Sequence, residues 1–386
     1  MATASVSPLA ALQALGQSVW VDFMSRQFLE NGELRRLIEE DGIQGVTSNP
    51  TIFEKAIGHS ADYDADIRRL VASGADEDAI YRELTVADIG AALDLFRPTY
   101  DRTGGYDGYV SLEVSPLLAL DSAGTIAEAK ALWGLLDRPN AMIKIPGTTE
   151  CLPAIEEALV AGININVTLL FSVEAYERVA RAFLRALRRR ADAGQPLDRV
   201  ASVASFFVSR IDSEVDKRID AQLKSVTDPT RRAELEGLKG KAAIANAKNA
   251  YALYQDLFEG PDFAPLKAQG AQVQRLLWAS VGTKNPSYPD TIYVDELIGP
   301  ETVSTMPPAT YDAVKDHGNV RPSLTDDTAG ARQLLDRLAA AGIDFQDVTA
   351  QLLREGVASF SDAFAKLMNS IRGKREQLLA DQRRGG

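Results

Sequence analysis

Residues 141–146 read Ala-Met-Ile-Lys-Ile-Pro, and this short apolar run decides how the rest of the chain is interpreted. A run of this kind is typical of a strand buried on both faces, as in a parallel sheet. Lys144 stands in its middle, although lysine is seldom fully buried without a reason. Burial disfavours the ammonium form, so we expect a nucleophilic amine that can form a Schiff base with a ketone or aldehyde. The alternative is a lysine that extends out of the strand end or pairs with a carboxylate.

Seven further apolar runs accompany this one along the chain. The eight predicted strands are Ser18–Phe23, Gly45–Asn49, Tyr109–Val114, Ala141–Pro146, Asn164–Phe171, Val203–Val208, Arg275–Val281 and Glu301–Met306. Amphipathic stretches between them predict helices, most clearly over Ser25–Glu40, Ser172–Ala193 and Lys239–Phe258. Strands that alternate with helices predict an α/β fold, and eight such units favour a closed (β/α)8 TIM barrel. An open doubly wound sheet is the alternative, but no Gly-x-Gly-x-x-Gly follows a strand.

The predicted organisation is a single (β/α)8 barrel domain over residues 1–386. It begins with an N-terminal helical segment, 1–17, and carries two helical insertions, 59–106 and 212–271. A helical C-terminal extension, 311–386, includes amphipathic stretches at Asp326–Ala341 and Asp344–Leu379. The final residues, 382–386, are expected to fray.

Composition excludes several classes of function. The chain has 386 residues and a net charge of -12, which argues against nucleic acid or an anionic membrane surface as a partner. Cys151 is its one cysteine, and His59 and His317 are its two histidines, so a disulfide within the chain, a His-rich zinc site and a Ser-His-Asp triad lack support. We expect Cys151 to be a small buried residue. No signal-peptide pattern and no 18-residue apolar run is present, so the cytoplasm is the expected location.

Polar residues near the carboxyl ends of consecutive strands share one parity. Barrel enzymes keep their chemistry at that end, and alternate residues face the interior. The pairs that share a face are Trp20 with Asp22, Thr47 with Asn49, Ser111 with Glu113, Met142 with Lys144, Asn166 with Thr168, and Ser205 with Phe207. Each buried ionisable group is unfavourable unless it is paired or functional. This clustering favours an active site over the alternative, a structural polar plug.

These groups suit the chemistry of a carbonyl compound. Lys144 supplies the amine, and Glu113 on the neighbouring strand can relay protons through a water held by Thr168. Asp22 can accept a hydroxyl proton while a carbon–carbon bond breaks. Asn49 and Asn166 can hydrogen-bond substrate hydroxyls. The alternative for both carboxylates is a structural salt bridge with Lys144.

A phosphate seat is predicted at the mouth of the barrel. Arg210 lies just past the sixth strand, and Ser280 and Lys284 follow the seventh. A guanidinium is well suited to bind phosphate. The alternative for Arg210 is a surface ion pair with Asp212 or Glu214.

Six segments taken together resemble the transaldolases. They are Val21-Asp22, Thr47–Pro50, Val110–Val114, Ile143–Pro146, Asn164–Ser172 and Ser205–Arg210, and the resemblance covers about residues 18–310. It implies a (β/α)8 barrel of the class I aldolase type that needs neither metal nor organic cofactor. It also implies transfer of a dihydroxyacetone unit from fructose 6-phosphate or sedoheptulose 7-phosphate to an aldose phosphate, in the non-oxidative pentose phosphate pathway.

By position, the resemblance assigns the site residue by residue. Lys144 matches the Schiff-base nucleophile, Asp22 the acid–base group for bond cleavage, Glu113 the carboxylate that works through a water, and Thr168 the residue that holds this water. The substrate-binding set is Asn49, Asn166, Ser205, Phe207, Arg210 and Ser280. Shorter members of the family carry a second phosphate-binding arginine soon after the seventh strand. No arginine occurs in Ala279–Pro286, and Lys284 is the candidate replacement, a point charge without the bidentate fork.

Three other functions remain as alternatives. One is a fructose 6-phosphate aldolase that releases free dihydroxyacetone, although the small aldolases of the family are much shorter chains. Another is a sugar-phosphate-binding barrel without turnover, which would not need Lys144, Glu113 and Asp22. A scaffold role has no repeat or heptad in its favour. The oligomeric state is left as monomer or homodimer.

Overall fold

Eight parallel strands close into a barrel in a computed structural model that describes residues 7–385. Side chains are described only as far as residue 380. The strands are β1 Gln17–Asp22, β2 Gly45–Thr47, β3 Tyr109–Glu113, β4 Ala141–Pro146, β5 Ile165–Leu170, β6 Ser202–Phe207, β7 Gln274–Ala279 and β8 Thr302–Met306. Each strand pairs in parallel with the next, and β8 pairs with β1 to complete the ring. The prediction of a (β/α)8 TIM barrel is confirmed, and the open-sheet alternative is wrong.

Helices connect and surround the strands. They are α1 Pro8–Ala14, α2 Arg26–Glu30, α3 Glu33–Glu40, α4 Pro50–Gly58, α5 Asp64–Ala72, α6 Glu77–Arg102, α7 Ser122–Leu136, α8 Leu152–Val160, α9 Val173–Asp192, α10 Ser209–Leu223, α11 Pro229–Glu236, α12 Ala242–Phe258, α13 Ala264–Lys267, α14 Ile292–Asp295, α15 Pro308–His317, α16 Thr328–Ala340 and α17 Phe345–Gly385. A 3₁₀ turn, Pro116–Leu118, follows β3. In the described part of the chain, no helix is both long and apolar enough to cross a bilayer.

Two local predictions differ from the structure. The helix expected over Ser25–Glu40 is broken into α2 and α3, because Gly32 between them has a left-handed φ of 79°. Ser25 does cap α2, as predicted, and its side chain accepts a hydrogen bond from the Phe28 N–H. Residues 382–385 of the tail expected to fray continue α17, and residue 386 lies outside the described residues. Residues 1–6 of the predicted N-terminal helical segment lie outside the described residues.

The amino-terminal end of the barrel is filled, which leaves the other end for a site. Trp20 is completely buried, and a Cβ at Gly45 would lie 2.5 Å from its ring, so only glycine fits there. Buried Arg275 on β7 donates to Ser18 Oγ at 2.7 Å and to Asp107 Oδ1 at 3.0 Å. These contacts tie β1, β7 and the segment before β3 into one buried network. Ionic partners and hydrogen bonds offset the unfavourable burial of the guanidinium.

The C-terminal helix α17 is anchored across the first long connection. The Lys374 ammonium donates to the Ser60 carbonyl at 2.8 Å and pairs with Asp64 at 2.6 Å. The same connection is joined to α2, where Arg26 binds Asp66 and buried Asp88 at 2.5 and 2.6 Å. The α17 helix is thereby held beside the carboxyl end of the barrel.

Candidate active site

A cleft of about 660 Å³ opens at the carboxyl ends of the strands. Its lining includes nine polar or aromatic residues singled out from the sequence: Asp22, Thr47, Asn49, Lys144, Ser205, Phe207, Arg210, Ser280 and Lys284. These side chains come from β1, β2, β4, β6 and the segments that follow β2, β6 and β7. Glu113, Asn166 and Thr168 are buried beside this cleft and do not line it. Most of the predicted site residues therefore lie together, because they occupy alternate strand positions that face the barrel interior.

Lys144 and Glu113 are direct neighbours in the β3–β4 register. The Lys144 Nζ lies 3.5 Å from Glu113 Oε2, and their side chains are only 5% and 3% exposed. The amine donates a hydrogen bond of 3.0 Å to the Ser48 carbonyl. At 3.5 Å the contact with Glu113 is an ion pair without a well-formed hydrogen bond, and both carboxylate oxygens lack a hydrogen-bond partner among the described residues. A buried carboxyl group with unused hydrogen-bonding capacity thus faces the amine.

The two carboxyl groups of the site hold protons more tightly than usual. Burial raises the pKa of Glu113 to about 7, against the opposing effect of the Lys144 charge. Burial also raises the pKa of Asp22, and Lys144 and a hydrogen bond from Thr47 counteract it. The Thr47 hydroxyl donates to Asp22 Oδ1 at 2.7 Å. A raised pKa suits groups that take up and release protons near neutral pH.

Asn166 joins three strands inside the barrel. Its Nδ2 donates to Ser111 Oγ at 3.0 Å, and its Oδ1 accepts from the Ser205 hydroxyl at 2.7 Å. Ser205 lines the cleft, so Asn166 orients a cleft residue although it does not itself line the cleft. One hydrogen of its amide group remains for another acceptor.

Asn49 and Thr168 take up local structural positions as well. The Asn49 side chain lines the cleft and caps α4 by accepting from the Ile52 N–H at 3.0 Å, and this bond does not use its NH₂ group. Buried Thr168 lies beyond Asn166 on β5, and its hydroxyl has no hydrogen-bond partner in the described region. The β5–β6 register shifts between Val167 and Leu170. Buried polar atoms of this kind normally bind a water or a ligand.

Two cations face the mouth of the cleft. The guanidinium of Arg210 lies 5.4 Å from the centre of the Phe207 ring, at the start of α10. No carboxylate of the described residues lies within 4 Å of Arg210 or Lys284, so the surface ion pair considered for Arg210 is wrong. Burial and the charge of Arg210 lower the pKa of Lys284. Two neighbouring cations without a paired anion form a seat for an anionic group.

Asp212 and Glu214, the alternative ion-pair partners considered for Arg210, bind other residues. Asp212 accepts from the Tyr293 hydroxyl at 2.8 Å, and Glu214 pairs with Arg218 at 3.0 Å.

Ser280 lies next to Arg210 and Lys284 in a left-handed conformation, with φ of 55°. That conformation is unfavourable by about 1 kcal/mol for a residue with a side chain. Here the Ser280 carbonyl accepts from the Ser209 N–H at 3.0 Å, which ties the end of β7 to the start of α10.

Comparison with known proteins agrees with this geometry. The family model for transaldolase/fructose-6-phosphate aldolase matches residues 19–371. The chain belongs to this family. It is 48% identical to a transaldolase of Trichodesmium erythraeum over 96% of this chain and 98% of the relative. Transaldolases of Saccharopolyspora erythraea and Acidothermus cellulolyticus are each 49% identical, over 96% and 94% of this chain and over 98% and 96% of the relatives. The prediction of a transaldolase-type transferase is confirmed.

Sequence reasoning missed several residues that line this transaldolase-family site, among them Gln27, Lys55, Thr305 and Phe360. Phe360 on α17 lines the cleft, and the centre of its ring lies 5.9 Å from Lys144 Nζ. Nothing in the local sequence distinguishes it from the other apolar residues of an amphipathic helix. Only the path of α17 over the barrel end brings it to the amine. Within the described part of the chain, no cluster of three or more His, Cys, Asp or Glu side chains could hold a metal ion.

Proposed function

We propose that this transaldolase-family enzyme moves a dihydroxyacetone unit from a ketose phosphate to an aldose phosphate through a Schiff base on Lys144. The donor would be sedoheptulose 7-phosphate or fructose 6-phosphate, and the acceptor glyceraldehyde 3-phosphate or erythrose 4-phosphate. The observation that carries the proposal is the buried Lys144 amine beside Glu113 on the floor of a cleft with cations at its mouth. Family membership supports sugar phosphates as the substrate class.

Schiff-base formation is assigned to Lys144 and Glu113. The amine attacks the substrate ketone, and the resulting carbinolamine must lose its hydroxyl group as water. Glu113 in its acid form supplies the proton for this loss, and burial keeps that form populated close to neutral pH. Thr168 holds the relaying water in this proposal, with its buried hydroxyl as support. The C–O bond breaks, and an iminium ion and a Glu113 carboxylate result.

Carbon–carbon cleavage is assigned to Asp22. As a carboxylate it accepts the proton of the hydroxyl group next to the breaking bond, and the electron pair moves into the iminium ion to give an enamine. Asp22 lies on the cleft wall and is oriented by Thr47. Asn49 and Asn166 each keep an amide hydrogen for a substrate hydroxyl, with Ser205 beside them. Arg210, Lys284, Ser280 and Phe207 form the seat for the phosphate end of the substrate.

The test is release of glyceraldehyde 3-phosphate from fructose 6-phosphate, with and without erythrose 4-phosphate, in buffer with a chelator. Release that depends on the acceptor supports a transferase, because the dihydroxyacetone unit stays on Lys144 until an aldose takes it. Equal release without acceptor would indicate an aldolase that discharges dihydroxyacetone. No release in either case would indicate a binding protein.

Broader features of the enzyme are part of the same proposal. We place it in the cytoplasm, and its net charge of -12 argues against nucleic acid or an anionic membrane surface as a partner. The chain would act as one barrel domain with its insertions and C-terminal helices, as a monomer or homodimer. Sedimentation equilibrium of the full chain distinguishes the two assemblies.

A further inference from the structure

A second cavity lies on the opposite side of Glu113 from the substrate cleft. It has a volume of about 300 Å³ and is lined by residues of α6, α7, α17, the end of β3 and the 3₁₀ turn that follows it. Its lining comprises Asp78, Tyr81, Arg82, Thr85, Leu112, Glu113, Ser115, Leu117, Leu118, Glu128, Leu132 and Phe364. At roughly 30 Å³ for each water, this space holds about ten waters. We call it the side cavity.

The side cavity runs from solvent to the catalytic pair. Asp78, Arg82 and Leu117 at its rim are exposed, whereas Thr85 and Glu113 at its floor are buried. Glu113 is the residue that links the two spaces, since it lines the side cavity and its Oε2 lies 3.5 Å from Lys144 Nζ. Neither carboxylate oxygen has a hydrogen-bond partner among the described residues. A buried carboxyl group with unused acceptors therefore borders a space that can hold water.

The polar wall of the side cavity suits water and protons. Glu128 accepts from the Ser115 N–H at 2.9 Å, and burial raises its pKa. Burial and the charges of Glu128 and Glu113 raise the pKa of Tyr81, which lines the same cavity. On α17, Phe360 lines the substrate cleft and Phe364 lines the side cavity. One helix thus covers both spaces with residues one turn apart.

We propose that the side cavity is a water site through which water and protons reach Glu113 independently of the substrate cleft. This inference rests on the Schiff-base function proposed above. When the carbinolamine breaks down, Glu113 gives a proton to the leaving hydroxyl group and a water molecule departs. Imine hydrolysis needs a water to return and the same proton to be taken back. A bound sugar phosphate occupies the cleft during both steps, and the side cavity supplies a separate route for this exchange.

The test fills the side cavity and times imine formation. Full-length protein is mixed with fructose 6-phosphate and quenched with borohydride at intervals, and the reduced adduct is measured by intact mass. Leu132→Phe adds volume at a buried cavity residue, and Leu135→Phe is the matched control, because Leu135 lies on the same helix, is 48% exposed and does not line the cavity. We expect Leu132→Phe to slow adduct formation about tenfold, part of the 10²–10⁴ that general acid catalysis typically supplies. The control should keep the parent rate.

A second variant guards against a folding defect. Arg82→Trp covers the exposed rim, and Glu83→Trp, which is also exposed on α6 but outside the cavity lining, is its control. The two variants that fill or cover the side cavity, Leu132→Phe and Arg82→Trp, are called the filling variants. Both should leave the KM for fructose 6-phosphate and the midpoint of thermal unfolding unchanged. They should move the pH midpoint of adduct formation upward, because loss of water on that side buries Glu113 further.

Three outcomes are distinguishable. Slower adduct formation in both filling variants, with parent rates in both controls, supports the water site. Parent rates in the folded filling variants overturn it, and Arg82→Trp alone decides if Leu132→Phe does not fold. Absence of any adduct in the parent protein would overturn the Schiff-base function itself, and the water site with it.

Discussion

Glu113 and Lys144 face each other across neighbouring strands, with Oε2 and Nζ 3.5 Å apart and both side chains almost fully buried. Two opposite charges at this depth stabilise each other, but desolvation offsets much of that attraction. The raised pKa of Glu113 is the result, since its carboxyl group takes a proton near pH 7 despite the cation beside it. Glu113 can therefore take up and release a proton near neutral pH, as loss of water from the carbinolamine and its reversal require.

Lys144→Ala should abolish the borohydride adduct and lower turnover by at least about 10³-fold, because Lys144 is the buried amine beside the proton donor Glu113. The fold should persist. Glu113 can take a proton once its partner is removed, so the free energy of unfolding should fall by about 2 kcal/mol, less than for a buried charge left ionised. Intact mass after borohydride and denaturant unfolding measure both effects. Lys130→Ala on the exposed side of α7 is the control, and near-normal turnover of Lys144→Ala would exclude the covalent mechanism.

Imine formation should slow as the pH rises through about 7, the pKa to which burial raises Glu113. The acid form donates the proton and is lost above that pH. Glu113→Gln should make the rate low and independent of pH in this range, with a loss of about 10²-fold. Timed borohydride trapping between pH 5.5 and 8.5 measures this profile. An unchanged profile in the glutamine variant would assign the proton to another group.

Glu113 should also make stability depend on pH. Its folded-state pKa of about 7 lies above the ordinary value of 4.5, so the folded chain binds the proton where the unfolded chain has released it. The free energy of unfolding should thus fall as the pH rises from about 4.5 to 7, by about 1–3 kcal/mol from this group. Urea unfolding of the parent and of Glu113→Gln at pH 5 and pH 8 tests this. The variant should gain stability relative to the parent at pH 8, and equal differences at both pH values would contradict the prediction.

Phosphate binding at the site formed by Arg210 and Lys284 should depend more on Arg210 than on Lys284. Arg210→Ala should raise the KM for fructose 6-phosphate about 100-fold, and Arg210→Lys about tenfold, because lysine lacks the bidentate fork. Lys284→Ala should have a smaller effect, and Lys284→Arg should lower the KM. Fructose without the phosphate is the matched control substrate. If the Arg210 variants weaken its use equally, the seat does not bind phosphate.

Phe360→Ala should let the enzyme release more free dihydroxyacetone. The ring lies 5.9 Å from Lys144 Nζ and covers the amine, so its removal admits water to the covalent intermediate. Phe360→Leu keeps an apolar cover and is the matched control. Dihydroxyacetone is assayed with fructose 6-phosphate in the absence of acceptor. Equal release from the alanine and leucine variants would mean that Phe360 does not exclude water.

Cys151→Ser should retain activity. The thiol is buried outside the cleft lining, with Sγ 3.3 Å from the Ala119 carbonyl, and a serine hydroxyl can donate to the same acceptor. We expect a change in stability within about 1 kcal/mol, the usual net value of one hydrogen bond. Steady-state turnover and thermal unfolding measure it. A large loss of turnover at unchanged stability would point to a catalytic thiol.

Local pattern determined the barrel and most of the candidate site. Each strand is short and apolar, and the period of two places Asp22, Lys144 and Ser205 on the inner face. Strand order followed from the regular alternation with helices, because consecutive parallel strands connect to neighbours. The break at Gly32 was missed, since a single glycine in an amphipathic stretch does not by itself show whether its φ becomes positive.

Contacts between segments distant in the sequence decided the other features of the site and its surroundings. Phe360 reaches Lys144 from 216 positions along the chain, and the side cavity forms where α6, α7 and α17 meet β3. Among the described residues no carboxylate lies within 4 Å of Arg210, and Asp212 and Glu214 are held by Tyr293 and Arg218. The sequence alone determines which residues face the barrel interior, because that depends on backbone periodicity. Burial, competition for hydrogen-bond partners and the path of the C-terminal helix depend on packing across the whole chain, and only the tertiary structure decides them.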